Sequence, residues 1–487
     1  MPFAQQLWQA MLRDLPLISG PLTLFFAATI MLWPGDLLVP RNKKHVWAPI
    51  TLGVLALSAA LAATTANGSG FSSMFQVDGF TRGFQLLCTA AAFITVVLSQ
   101  PQLNALQEQT VEYYALILFS LGGMQLLVGA TDLVSVYFSV ELMALCIYIL
   151  VAYLRTQERS IEAGTKYFLL GAFSSGILLY GISLLFAAGG GVTTNLLQLN
   201  QKLALATNNN SLLVFAGVLM VLVGFAFKVA AVPFHMWSPD AYEGAPTPIT
   251  AYLSMAPKAA ALAAFLRVFG TGLASVHSDW SAPLGFIAAA SMILGNIAAL
   301  RQQSIKRMLA YSSIAHVGYM LLGVLSKDPL GGARAVWLYL LTYLLMQSGA
   351  FAVIIHLQGT GEGERLDDFR GLARRRPMLA FAMMVFMLSL AGIPPLLGFF
   401  SKFYLFMLAI QQGQYLLTTI ALLTSAVAAT YYLGVVNLMY FKEPTGVELP
   451  RLGTSLALTV GCACGLVLVG TCFGPWLLDW AQTITWF

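Results

Sequence analysis

The chain has 487 residues, of which only 9 % are charged and 58 % are hydrophobic, with a mean hydropathy of +0.78. Soluble domains carry about 25 % charged residues, so too little polar surface is present to coat a water-soluble particle, and disorder, which needs low hydrophobicity and high charge, is excluded as well. A net charge of +5 spread over so long a chain makes no basic face for a nucleic acid, which leaves a polytopic membrane protein resting in a lipid bilayer.

A membrane-spanning helix needs about 20 apolar residues. The sequence supplies fourteen candidates, at 17–38, 46–65, 82–99, 113–130, 133–154, 163–188, 211–237, 247–270, 282–300, 307–325, 333–356, 378–410, 415–441 and 453–478. These are continuous runs of Leu, Ala, Val and Phe without the alternation of barrel strands, so the fold class is all-α. The N-terminus lacks the short apolar core and small-residue cleavage site of a removable signal peptide. Cys88, Cys146, Cys462, Cys464 and Cys472 lie in apolar runs without zinc-site spacing and read as buried free thiols. Gly189-Gly190-Gly191 and Asn208-Asn209-Asn210 read as a flexible outer loop. The run from Gly359 to Arg376, dense in both signs of charge, reads as a solvated loop or docking surface.

Lys and Arg set the orientation. Sixteen of them, from Arg41 through Arg155, Arg301 and Arg374 to Arg451, fall on one set of loops, whereas six, including Arg13, Arg82 and Arg267, fall on the other. The richer side faces the cytoplasm, and an even number of spans then puts both termini outside.

Four ionisable residues lie within the spans: Glu141, Lys228, Lys258 and Lys402. Each costs roughly 2.5–3.5 kcal/mol on insertion scales, so each needs a compensating role, as a snorkelling side chain, a structural ion pair or a functional group. Lys166, next to a loop, fits the first two. Their chemistry suits proton handling, because low dielectric disfavours an ammonium and a nearby carboxylate favours it. A buried Lys–Glu pair therefore holds or releases a proton according to its separation. Pro233 and Pro239 follow Lys228, while Gly392, Pro394, Pro395 and Gly398 precede Lys402, and such interruptions predict two discontinuous helices of the kind found in transporters. His316 could relay protons or simply pack with a hydrogen bond.

Gly224-Phe225-x-x-Lys228 recurs as Gly398-Phe399-x-x-Lys402. At about the same offset Glu141 falls beside His316 and Lys258 falls on Tyr432. Spans 4 to 8 and 9 to 13 then form two inverted five-helix repeats, and the chain divides into an N-terminal three-helix segment (1–112), a first repeat (113–270), a second, inverted repeat (271–441) and a C-terminal helix (442–487). No phosphate-cradling Gly loop, haem ligand pair or iron–sulfur cysteine set is present in the sequence.

Three stretches carry a resemblance. The run from Phe227 to Pro248, with Pro239-Asp240-x-Tyr242-x-Gly244-Ala245-Pro246 inside it, the run from Ser304 to Tyr319, and the run from Ser389 to Phe403 resemble the antiporter-like membrane subunits of respiratory complex I, the proton-translocating NADH-quinone oxidoreductase. Within that family the Pro-Asp-x-Tyr signature and Lys402 are similar to the subunit N branch. The resemblance covers nearly the whole chain. It implies that Glu141, Lys228, Lys258 and Lys402 match the glutamate of the fifth helix and the lysines of the seventh, eighth and twelfth, which form a hydrated polar axis. It also implies a hetero-oligomer with the other membrane-arm subunits, including the other antiporter-like ones, in a bacterial inner membrane, with NADH, FMN, iron–sulfur clusters and quinone in partner subunits and no cofactor in this chain. A subunit of a multi-subunit cation/proton antiporter, or of a membrane-bound hydrogenase-type complex, shares the same residues and is the alternative. A topology reporter fused after Arg376 should read cytoplasmic, and one fused in the 190–209 loop external. The same side for both would break the span count between them.

Overall fold

The computed structural model describes residues 9, 11–106, 110–206, 211–444, 449–470 and 472. The helices, numbered in chain order, are α1 (Ser19–Ile30), α2 (Trp47–Thr64), α3 (Gly79–Leu106), α4 (Val111–Gly129), α5 (Leu133–Val151), α6 (Glu158–Ala188), α7 (Leu196–Ala206), α8 (Ser211–Lys228), α9 (Trp237–Gly244), α10 (Thr247–Arg267), α11 (His277–Ala299), α12 (Ile305–Val324), α13 (Pro329–Gln358), α14 (Pro377–Ala391), α15 (Leu397–Gln411), α16 (Tyr415–Phe441) and α17 (Thr454–Val469). Between α2 and α3 a small antiparallel hairpin pairs β1 (Gly68–Gly70) with β2 (Phe75–Val77), Gly68 opposite Val77.

Among the described residues eleven helical segments are long and apolar enough to cross a membrane. The expected tenth span is α12, twenty residues long but carrying Lys306 and Arg307 in its first turn. The expected span at 378–410 is two half-helices, α14 and α15, and that at 211–237 is α8 followed by an unwound stretch that leads into α9. Both discontinuous helices are therefore present. The last span is described as α17, and the remainder of the expected 453–478 segment, apart from Cys472, lies outside the described residues past Gly470.

The bundle is built around α10, every residue of which is buried. Its run of alanines, Ala259–Ala261 with Ala263 and Ala264, lets neighbours approach closely where no hydrophobic force separates helix from lipid, and α3, α4 and α13 pack against it. Helices α6, α16 and α17 lie at the periphery and present large apolar side chains outward, Phe173 and Leu416 among them.

Several local expectations are corrected. Cys88, Cys146 and Cys464 are buried, but Cys462 and Cys472 are exposed: Cys462 lies on the outward face of the peripheral α17, and Cys472 follows that helix. The segment after Gly191 holds α7, anchored where Leu133 N donates to Thr194 O (2.9 Å) and Thr194 Oγ1 donates to Asp132 (2.7 Å). Asn208-Asn209-Asn210 lies outside the described residues. The run from Gly359 to Arg376 is only partly solvated. Phe369 and Leu372 are buried, and the largely buried Arg375 pairs with Glu362 at 2.8 Å.

Arg267, assigned by sequence to an outer loop, closes α10 as a buried group. Its Nη2 donates to both oxygens of Asp78 (3.1 and 3.0 Å) and to Thr81 Oγ1 (3.0 Å), while its guanidinium lies 4.7 Å from the centre of the Phe80 ring. Asp78 also accepts from Thr81 N at 2.7 Å at the start of α3, so one carboxylate ties two helix ends together. Removing one partner leaves an unpaired buried charge, at about 3–5 kcal/mol, whereas removing both is far milder. Asp78→Asn and Arg267→Met should each lower the thermal stability of the detergent-solubilised protein sharply, and Asp78→Leu/Arg267→Met together should restore most of it. Additive losses in the double variant would contradict the pairing.

Candidate functional site

The four intramembrane charges sit where helices break or bury. Lys228 is the last residue of α8 and Glu141 lies about 12 Å along α5 from Leu133. Lys228 Nζ stands 3.4 Å from Glu141 Oε1 and donates to Ser175 Oγ at 3.2 Å, and Ser175 in turn donates to the same carboxylate oxygen. Here the lysine is almost fully buried and the glutamate half-buried.

Helix α8 ends in a compact cap. Ala230 takes φ +61°, Ala231 N donates to Ala226 O (2.8 Å) and Ala230 N to Phe227 O (3.0 Å), the paired bonds by which a helix closes through a left-handed residue. Helix α14 ends the same way, with Gly392 at φ +83°, Ile393 N donating to Leu388 O and Gly392 N to Ser389 O. The two broken spans thus share one backbone device, placed differently against their lysines. Lys228 precedes its cap, whereas Lys402 lies beyond its cap on α15. The sequence match of Gly224-Phe225 with Gly398-Phe399 is therefore not in register with the matching backbone turns.

Lys402 reaches back across its break. Its Nζ donates to the terminal carbonyls of α14, Leu390 O at 2.9 Å and Ala391 O at 3.0 Å, and to Ser425 Oγ at 3.1 Å. A helix C-terminus carries about half a negative charge on its free carbonyls, so the ammonium caps it. Other freed backbone groups are met by side chains: Gly398 N by Ser389 Oγ, Val232 N by Ser291 Oγ, and Phe227 O by Trp237 Nε1. Half-helix α9 is fixed by ion pairs, with Asp240 held by Arg307 (2.8 Å) and Lys166 (3.2 Å), and Glu243 by Arg307 (2.8 Å). Lys166 is thus a structural ion pair.

Lys258, in the all-buried α10, donates to Ser313 Oγ and lies 5.4 Å from the centre of the Tyr242 ring. Pro257 precedes it and removes one helical hydrogen bond at that depth. On α12, Ser313 is shared with Tyr242 OH (3.3 Å), and its neighbour Ser312 bonds Tyr432 OH. Tyr432 OH is also 3.1 Å from His316 Nε2, and His316 Nδ1 is 2.6 Å from Tyr339 OH. Tyr319 continues the row, its ring 5.9 Å from that of His316 and 5.3 Å from Lys402 Nζ.

Of the six residues singled out by sequence, the structure joins Glu141 directly to Lys228 and His316 directly to Tyr432. Lys258 and Lys402 lie at the two ends of the row that His316 and Tyr432 centre, and among the described residues no hydrogen bond links Lys228 to Lys258 directly. Sequence reasoning missed Ser175, Ser312, Ser313, Tyr339 and Tyr319. A buried serine or tyrosine in an apolar run carries no mark that separates a relay from a packed hydroxyl. Only the helix period, which sets Ser312, His316 and Tyr319 on one face of α12 (i, i+4, i+7) with Ser313 beside them, could have indicated them.

Gly392 offers a direct check on the Lys402 geometry. A Cβ there would stand 2.8 Å from Lys402 Cδ and 3.2 Å from its Nζ, besides straining a left-handed residue. Gly392→Ala should displace the ammonium and abolish most turnover-linked transport, at a stability cost of about 1–3 kcal/mol. Ala230→Gly, which relieves the same strain at the other break, should leave activity unchanged. Equal activity in both variants would dissociate Lys402 from its carbonyl cradle.

Comparison with known proteins bears on what such a row does. A family model described as "NADH:quinone oxidoreductase/Mrp antiporter, TM" matches residues 130–428. "NADH-quinone oxidoreductase subunit N 2" of Solibacter usitatus is 42 % identical over 93 % of this chain and 92 % of its own length. Subunit N of Paramagnetospirillum magneticum is 42 % identical over 88 % of this chain and 90 % of its own. Among solved structures, a chain of respiratory complex I from Thermus thermophilus superposes with a TM-score of 0.79 at 33 % identity, covering 95 % of this chain and 98 % of that one. A chain of the Mrp complex from Dietzia sp. superposes with a TM-score of 0.82 over 96 % of both chains, but at 21 % identity it shares the fold alone.

Proposed function

The chain belongs to the NADH:quinone oxidoreductase/Mrp antiporter family of membrane subunits, on the subunit N branch, and from that premise we propose that its buried lysines carry protons across the bilayer in response to quinone reduction elsewhere in the complex. The protein is a multi-pass membrane subunit of a bacterial NADH-quinone oxidoreductase and works as part of a hetero-oligomer with other membrane-arm subunits. NADH, FMN, iron–sulfur clusters and quinone belong to partner subunits in this reading, and the part played by this chain is protonic. Both termini lie on the outer face. Residues 113–270 and 271–441 act as two inverted halves, each with one broken span, between the N-terminal segment and the C-terminal helix.

One observation carries the assignment of roles. Arg267, a fixed charge, is held by a carboxylate, but among the described residues no carboxylate pairs with Lys258 or Lys402, whose ammonium groups rest on hydroxyls, carbonyls and aromatic faces. A buried ammonium without a counter-ion is a group built to lose its proton. Glu141 then acts as the modulator, stabilising the charged form of Lys228 when close. Protons pass from the Glu141–Lys228 pair to Lys258, through Ser313, Ser312, Tyr432 and His316, to Lys402, with water bridging the longer intervals.

Arginine does not release its proton in proteins. Lys258→Arg should therefore impair NADH-driven pumping in membranes about as severely as Lys258→Ala, with assembly of the complex checked separately. Glu141→Gln should also reduce pumping sharply, and Glu141→Asp should retain part of it. Normal pumping by Lys258→Arg beside a dead Lys258→Ala would make Lys258 an electrostatic fixture and refute the relay.

A further inference from the structure

A cavity of about 620 Å³ opens on the basic side of the bundle, between the start of α14 and the first half of α17, away from the lysine row. Its walls are apolar: Met378 and Phe381 on one side, Val460 and Cys464 on the other. Gly461 and Gly465 line it as well, and a Cβ built at either meets no atom within 4 Å, so both open onto the groove without filling it. The groove follows α17 from Ala457 to Gly465, about 12 Å of helix, close to the ~15 Å depth of one hydrocarbon leaflet.

The mouth of the groove is cationic. Arg376 and Arg451 both line it, and His356 stands behind them. Arg376 donates from Nε and Nη2 to the carbonyl of Leu449, which fixes its guanidinium at one end of the groove. Among the described residues neither arginine is in an ion pair with a carboxylate, although the adjoining arginines Arg370, Arg374 and Arg375 each have one. Two guanidinium groups lining one end of an apolar groove about as long as a leaflet is deep are complementary to a phosphate that carries an acyl chain.

We propose that this groove binds one anionic diacyl phospholipid, its phosphate on Arg376 and Arg451 and one acyl chain along Gly461 and Gly465. The lipid would then join α17 to α14, the half-helix whose terminal carbonyls hold Lys402. The site does not depend on the proton-transfer reading, because its test measures bound lipid and not transport.

The intact complex, purified in mild detergent, washed free of loosely held lipid and exposed to vesicles of phosphatidylglycerol or phosphatidylcholine, is assayed for retained lipid by native mass spectrometry. Phosphatidylglycerol should be retained in preference to phosphatidylcholine. Arg451→Gln, an exposed substitution, should lower that retention about fivefold, the effect of one arginine near a membrane surface. Gly461→Phe, whose side chain enters the open channel, should expel the lipid whatever its headgroup. Excess inorganic phosphate should compete weakly, since it lacks the acyl chain. Equal retention of the two lipids, unchanged retention in Gly461→Phe, or a photo-crosslinker at position 461 that captures a neighbouring subunit would each overturn the proposal.

Discussion

Moving an ion from water into a low-dielectric interior still costs several kcal/mol after the surroundings relax, and this chain meets that cost in different ways at its different buried cations. Arg267 has two carboxylate oxygens, a hydroxyl and an aromatic face. Lys228 has one half-buried carboxylate at 3.4 Å and a serine that the carboxylate also binds. Lys258 and Lys402 have neutral partners only. The series runs from a cation flanked by two anionic oxygens, through one that shares a single carboxylate with a serine, to two with neutral partners only. Each environment is set by the helix that presents it, and α10 presents both extremes, Lys258 in its middle and Arg267 at its end.

The same shortage of water governs the backbone. Unwinding a helix inside the membrane strands carbonyls and amides, each of which must find a partner within the protein. At the first break Ser291 and Trp237 supply them, and at the second Ser389 and Lys402 itself. Trp237 stacks on Tyr167 with ring centres 4.1 Å apart, which fixes the ring plane in which its indole N–H points. The breaks are therefore built features, each fixed by a small set of polar side chains that have few other partners.

Much of this was legible in the sequence. Lipid makes span detection a matter of apolar length, so the helices fell where the runs of Leu, Ala, Val and Phe placed them, and the Pro and Gly clusters marked both breaks. The charges stood out because the membrane tolerates so few. What escaped notice has physical reasons too. Arg267 read as a loop residue because it ends a helix, and only the fold brings Asp78, nearly 190 residues away, beneath it. The hydroxyls of Ser313, Tyr432 and Tyr339 are chemically ordinary, and their importance lies entirely in which helices meet. The repeated Gly-Phe-x-x-Lys suggested one register for the two halves, yet the backbone turns at Ala230 and Gly392 stand on different sides of their lysines.

That difference has a mechanical consequence. Lys228 is bonded to side chains, so loss of its proton alters the field at Glu141 and leaves the cap at Ala230, whose bonds are all backbone, intact. Lys402 is bonded to the ends of α14 from across the gap, and its hydrogen bonds to those carbonyls are charge-assisted only while it is an ammonium. Such bonds are roughly twice as strong as neutral ones, so deprotonation there weakens the tie between α14 and α15. Half-helix α9, by contrast, is clamped by Arg307 and Lys166 through Asp240 and Glu243, none of which touches Lys228. The first broken span is thus tied to its lysine through side chains alone, whereas in the second the lysine itself makes the backbone join.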